Sequence, residues 1–291
     1  MWFGTNEGVN VYDGNQISRY KSYDVINSQH RERELINGVV SEIVGDSQGN
    51  VLMINSGALI KYDIRKEAFR KIIPTDVGAL ATLGEEVWCT IHDSLFRYDP
   101  EEDSLHFYRK LGTATVMCME KMDEEIWIGT ASGLYVLAGD ELKCVLPDIE
   151  IFKLFVSSRK ELWIASRMKG LYKVGRDGKL MKEEHSPTRV VSLQIRGFVE
   201  DERQNIWFGT FEGLQVYNPY LDTYRVYRPD YHPGSLEHQS VFSLYKDRQG
   251  TIWVGTYYGG VNYFNQSKDV FLYYPNAVSY THLTLPTICS V

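Results

Sequence analysis

"IWVGTYYGGVNYF", Ile252–Phe264, decides the fold, because the chain writes it more than once. "IWFGTFEGLQVY" occupies Ile206–Tyr217 and "IWIGTASGLYVL" occupies Ile126–Leu137. All six tryptophans sit in the same slot of this phrase: Trp2, Trp88, Trp127, Trp163, Trp207 and Trp253. A further copy, "NVLMINSGALIKY" from Asn50, puts Leu52 there. The steps between slots are 50, 36, 39, 36, 44 and 46 residues. Their mean, about 42, is the length of one four-stranded propeller blade.

Each period reads as four short strands. In the last, "VFSLY" (Val241–Tyr245) leads through "KDRQG", a turn of residues that bond their own backbone, into "TIWVGT". "GVNYF" (Gly260–Phe264) and "VFLYY" (Val270–Tyr274) complete it. Nothing in the period has helical spacing. Seven copies predict an all-β, seven-bladed β-propeller of four-stranded antiparallel blades. The phrase starts at Trp2, so the first blade is expected to lack its innermost strand.

In the second strand Trp253 and Gly255 share one face, and Ile252, Val254 and Thr256 the other. Both faces are apolar or small, as a sheet between two neighbouring sheets requires. Trp2, Trp88, Trp127, Trp163, Trp207 and Trp253 are therefore expected to be structural wedges between blades, with the Gly leaving room for the neighbour.

Bulk properties exclude several functions. The formal charge of −7 argues against a nucleic-acid surface. No apolar run approaches the roughly 18 residues of a membrane span. Cys89, Cys118, Cys144 and Cys289 form no CxxC pair; the first three lie in strand-like runs and read as buried free thiols. No Gly-x-Ser-x-Gly elbow, Gly-rich phosphate loop or His-x-x-x-His pair occurs. "DRQGTIW" has one residue too many between Asp and Gly for a sialidase Asp-box. The recurring Asp46, Asp201 and Asp247 read as turn formers. No catalytic residue, metal site or cofactor is expected.

Strand alternation puts the loop after each second strand and the connection from each fourth strand to the next blade on one face. The extra length falls in two such connections, Lys21–Gly38 and Arg228–Ser240. Loops on one face of a rigid scaffold are the usual site of recognition. The candidate ligand-binding residues are His92, Arg167, Lys169, Phe211, Glu212, Tyr257 and Tyr258. Aromatic planes beside charged groups suit a sugar or another polar ligand.

"LYKDRQGTIWVGTYYGGVNYF" resembles the two-component-regulator propeller repeat of Bacteroides-type hybrid sensor histidine kinases, and "MWFGTNEGVNVYDGNQISRY" resembles their first repeat. The resemblance covers about residues 1–275; the copies at Leu52 and Trp88 depart from it by losing Gly-Thr. It implies a periplasmic sensor region of two propellers and a β-sandwich, recognising an oligosaccharide or glycan breakdown product. It also implies signalling to a kinase this chain does not contain. A second propeller and β-sandwich of the same parent chain, and a homodimer in that parent, are the implied partners, with no nucleic acid. Residues 1–276 are expected to form the propeller. "VSYTHLTLPTICSV", Val278–Val291, breaks the repeat and resembles a translated adapter, so 277–291 are expected to be a non-native, unstructured tail. Two other readings stay open: a protein-docking platform without a small ligand, and a propeller lyase or glycosidase with paired carboxylates.

Overall fold

The computed structural model describes residues 1–20, 22–26, 31–35, 38–175, 179–183, 188–230, 232–265, 269–274 and 287–289. They form seven four-stranded antiparallel sheets, the blades of an all-β propeller, six of them consecutive meanders, and one two-stranded hairpin. Among the described residues there is no helix, and so none able to cross a membrane. The chain divides into two compact units, Met1–Val116 with Ala277–Val291, and Met117–Asn276.

In the first unit, blade 2 runs through Val40–Gly45, Val51–Asn55, Ala58–Asp63 and Ala68–Ile73. Blade 3 runs through Val77–Leu83, Glu86–Ile91, Ser94–Asp99 and Ser104–Lys110. Blade 1 has three consecutive strands, Trp2–Thr5, Gly8–Tyr12 and Ile17–Tyr20. The place beside Trp2–Thr5 is taken by Thr287–Cys289, paired antiparallel with Trp2↔Cys289 and Gly4↔Thr287. Sequence reasoning foresaw the gap in blade 1 but not this strand. An unpaired edge presents a row of free N–H and C=O groups, and a short β-prone segment can fill it. The rest of 277–291 lies outside the described residues.

The long connection Lys21–Gly38, read as a loop, contains a hairpin, Ser22–Ile26 with Arg31–Leu35. Cys89 and Cys118 are buried, and burial pushes the Cys89 thiol up to about 12. Cys144 is exposed, against expectation, because it belongs to the outermost strand of its blade, Glu141–Pro147.

The second unit holds most of blade 4 (Val116–Met122, Glu125–Thr130, Gly133–Ala138, Glu141–Pro147) and all of blade 5 (Ile151–Val156, Leu162–Ser166, Leu171–Val174, Leu180–Lys182). Blade 6 follows (Ile195–Glu200, Ile206–Thr210, Gly213–Asn218, Thr223–Tyr227), then blade 7 (Val241–Lys246, Ile252–Thr256, Val261–Asn265, Val270–Tyr274).

The W-x-G-T phrase has a division of labour. All six indoles are buried. Trp2 meets Tyr62 of blade 2, Trp163 meets Tyr217 of blade 6, and Trp207 meets Phe264 of blade 7, at ring separations of 4.8, 5.5 and 4.8 Å. Each partner lies on the third strand of the following blade. Leu52 fills the same slot against Val77 and Leu80 of blade 3. The Gly admits the next blade's first strand: a Cβ on Gly4, Gly129 or Gly209 would lie within 2.8 Å of Val40, Ile151 or Val241. The closing Thr or Ser locks the next turn. Thr5, Thr130, Ser166, Thr210 and Thr256 are buried, and their hydroxyls donate to the carbonyls of Gly8, Gly133, Gly170, Gly213 and Gly260 at 2.8–3.1 Å.

Candidate functional site

Those locked turns fix one end of the second unit. The residue after the Thr or Ser donates its N–H to the carbonyl just before its own blade's first strand: Arg167 to Glu150, Phe211 to Gln194, Tyr257 to Ser240. The loop after each second strand thus sits beside the start of its first strand, on one face, as strand alternation predicts. Two residues separate Thr210 from Gly213, but three separate Ser166 from Gly170 and Thr256 from Gly260. The longer turns carry Arg167–Lys169 and Tyr257–Gly259.

The first strands of blades 5, 6 and 7 each contain a β-bulge at the same place. Ile151 pairs with Ser166 and Lys153 with Ala165; Ile195 pairs with Thr210 and Gly197 with Gly209; Val241 pairs with Thr256 and Ser243 with Gly255. The extra residues are Phe152, Arg196 and Phe242. A bulge re-aims a side chain that the pleat would otherwise turn into the neighbouring sheet. All three line one cavity of about 330 Å³, together with Arg167, Met168, Gln194 and Ile195. That volume is at the lower end for ligand pockets.

Arg196 is the centre of this arrangement. Its guanidinium carbon lies 4.5 Å from the Phe242 ring and 4.9 Å from the Phe211 ring, both within cation–π range. Nη1 donates to Ser240 Oγ at 3.2 Å. Burial lowers its pKa; Tyr257 opposes this and the charge of Arg167 adds to it. Outward from Arg196 the aromatic surface continues: Phe242 stacks on Tyr257 at 6.1 Å, Tyr257 meets Tyr258 edge-on at 4.4 Å, and Tyr258 faces His238 at 5.7 Å. Hydrogen bonding with Tyr257 raises the Tyr258 hydroxyl. Met168, Phe211 and Tyr258 are 61, 46 and 54% exposed, so the strip faces solvent.

Four candidate residues from the sequence belong to this strip: Arg167, Phe211, Tyr257 and Tyr258. Arg167 Nη1 is held by Glu150 Oε1 at 2.7 Å. Lys169 and Glu212 occupy the same turns but do not line the cavity. Lys169 Nζ donates to the Asp148 carbonyl at 2.9 Å, and the Glu212 carbonyl accepts from Arg228 Nε at 2.8 Å. His92 lies in the first unit, at φ 54° in the turn between two strands of blade 3, where the conformation itself asks for a turn residue. Sequence reasoning missed Phe152, Gln194, Arg196 and Phe242. The available signal was position: each bulge residue follows the buried Ile or Val that opens a first strand.

The recurring acids act in turns. Asp46, Asp201 and Asp247 each accept two backbone N–H groups through Oδ1, at 2.8–2.9 Å. Among the described residues, Asp99, Glu102 and His106 bring three potential metal ligands together in the first unit. Asp99 Oδ1 is already engaged by the N–H groups of Glu101 and Glu102.

The two component regulator propeller model matches residues 235–258, which contain Phe242, Tyr257 and Tyr258. None of the curated proteins compared with the chain matches it. Among solved structures, an extracellular domain assigned to a one-component system of B. thetaiotaomicron superposes with a TM-score of 0.72 at 20% identity. That match covers 90% of this chain and 36% of the other. An extracellular domain assigned to a hybrid two-component system of the same organism gives 0.56 at 18% identity, over 91 and 43%. Virginiamycin B lyase of Staphylococcus aureus gives 0.66 at 11% identity, over 82 and 85%. The chain thus spans less than half of either extracellular domain. At these identities the likeness shows the fold, which sensor domains and a lyase share. The chain is a β-propeller that carries the two-component-regulator propeller repeat.

Proposed function

We propose that this chain is a ligand-sensing propeller from the extracytoplasmic, periplasmic part of a hybrid sensor histidine kinase, and that the strip across blades 5, 6 and 7 binds an oligosaccharide. One observation carries the reading: the exposed Phe211 ring lies against the Arg196 guanidinium of a concave site, and the aromatic surface runs on through Phe242 and Tyr257 to the exposed Tyr258. Sugar rings stack on such planes, and their hydroxyls hydrogen-bond to Arg and Gln side chains of the kind lining this cavity. The repeat match and the two extracellular neighbours support the sensor setting. The chain itself is non-catalytic in this reading. Among the described residues that line this cavity there is no carboxylate, so the cavity offers no support for a glycosidase with paired carboxylates. The kinase, a second propeller, a β-sandwich and any homodimer belong to the proposed parent protein.

The test is a glycan array followed by calorimetry on the chain and on its Phe211→Ala and Tyr258→Ala variants. Both side chains are about half exposed, so the fold is expected to survive their loss. At least one glycan should bind, with affinity falling about 10-fold in each variant. Binding that both variants leave unchanged would remove the strip from consideration.

A further inference from the structure

Arg196 is a half-buried cation in a cavity whose other described lining residues are Phe152, Arg167, Met168, Gln194, Ile195 and Phe242, none of them acidic. Its hydrogen-bond acceptor is Ser240 Oγ, and its guanidinium carbon lies over the Phe211 and Phe242 rings. Among the described residues, no carboxylate lies within ion-pair distance of it. The nearby Glu150 is committed to Arg167 at 2.7 Å. Two other arginines of this unit that lie against tyrosine rings do have acidic partners: Arg189 with Asp222 and Glu183, and Arg225 with Asp269.

A partly desolvated charge without a counter-ion is costly, and natural proteins seldom keep one unless something pairs it. The bulge adds weight. Without the extra residue, strand alternation would turn position 196 toward a neighbouring sheet; with it, the guanidinium reaches the cavity. Phe211 and Phe242 confine the guanidinium between them. A planar fork of N–H donors fixed in this way matches a carboxylate better than it matches neutral hydroxyls.

We propose that Arg196 receives the carboxylate of an acidic sugar, so that the ligand is a uronate-containing oligosaccharide with its ring against Phe211 or Tyr258. The assignment rests on the sugar-binding reading and narrows it. Neutral sugars can stack on the same rings, but only an acidic one supplies the missing counter-ion.

The experiment pairs each acidic oligosaccharide with its own carboxyl-reduced form, which differs only in charge. Oligogalacturonides, alginate oligosaccharides and glucuronoxylan oligosaccharides serve as probes, titrated calorimetrically into the chain and its Arg196→Gln and Arg196→Lys variants. At least one acidic probe should bind about 10- to 100-fold more tightly than its reduced form, as a hydrogen-bonded charge pair implies. Arg196→Gln should bring that ratio close to one, because it weakens the acidic probe's binding far more than the reduced form's. Arg196→Lys should retain part of it, which separates loss of charge from loss of fold. The Arg196 Nε–H NMR signal should shift with the acidic probe and not with its reduced form. Equal binding of acidic and reduced forms, or a ratio untouched in Arg196→Gln, overturns the carboxylate assignment and leaves the sugar site standing. Silence from every acidic, reduced and neutral glycan overturns the sugar reading and the assignment with it.

Discussion

Trp207 Nε1 donates to Asp201 Oδ2 at 2.9 Å, and Trp253 Nε1 does the same to Asp247 Oδ2 at 2.8 Å. In both blades the Asp is six residues before the Trp, in the turn joining the first and second strands. One carboxylate therefore closes the turn through Oδ1 and satisfies the wedge indole through Oδ2. Blade 5 has Ser157 at that position, and the Trp163 Nε1 hydrogen is buried without an acceptor. Asp201→Ala should cost about 2–3 kcal/mol in urea denaturation, since it strands a buried donor as well as opening the turn. Ser157→Asp should gain about 1 kcal/mol by supplying the missing acceptor. A Ser157→Asp protein less stable than the parent would show that the blade 5 turn cannot bring the carboxylate to the indole.

Gly209 and Val241 test the inter-blade fit. A methyl at Gly209 would sit 2.5 Å from Val241 Cγ1 and 3.1 Å from its Cβ. Gly209→Ala should destabilise by about 1–3 kcal/mol, the usual cost of overpacking. Blade 5 has Ala165 at the matching position, fully buried, so a methyl can be accommodated in this slot. Gly209→Ala combined with Val241→Ala should therefore be more stable than the sum of the two single losses predicts. Strict additivity in that double-mutant cycle would place the constraint elsewhere.

The scaffold was legible because its energetics are local and repeated. The Trp, Gly and Thr of each phrase have separate jobs, and each job recurs with the period, so a misreading of one copy is corrected by the others. The loop face followed from alternation alone. Arg196, Phe242 and Phe152 were not legible, because a bulge breaks the alternation from which their direction would be read. In "IRGFV" nothing separates an outward-turned Arg from one re-aimed by an extra residue; only the pairing Ile195↔Thr210 with Gly197↔Gly209 does so. The strand at Thr287–Cys289 was missed for a different reason: its partner residues are 283 to 287 positions away, and no local pattern announces it.

Thr210 connects the scaffold to the proposed site. Its Oγ1 donates to the Gly213 carbonyl at 2.8 Å and accepts from the Glu212 N–H at 3.0 Å, clamping the turn that presents Phe211. Thr210→Val keeps the shape and removes both bonds. It should cost about 1–3 kcal/mol and weaken binding of any ligand that stacks on Phe211. Thr210→Ser, which retains the hydroxyl, should restore both properties to near the parent's values. Equal ligand affinity in the Val and Ser variants would separate the turn lock from the site.

Glu120 gives the fold a pH dependence of predictable sign. It lies half-buried on the first strand of blade 4, and burial pushes its carboxyl up to about 7, with the Lys153 ammonium pulling the other way. In the unfolded chain the group titrates near 4.5. The folded state thus holds the proton more tightly, so the stabilisation from this group is complete below about pH 4.5. It declines as pH rises through 7, by at most about 3 kcal/mol. Glu120→Gln removes the titration and mimics the protonated form. Its melting temperature should exceed the parent's at pH 8 and approach it at pH 5. A gap between the two proteins that stays constant from pH 5 to 8 would mean that Glu120 is solvated well enough to keep an ordinary pKa.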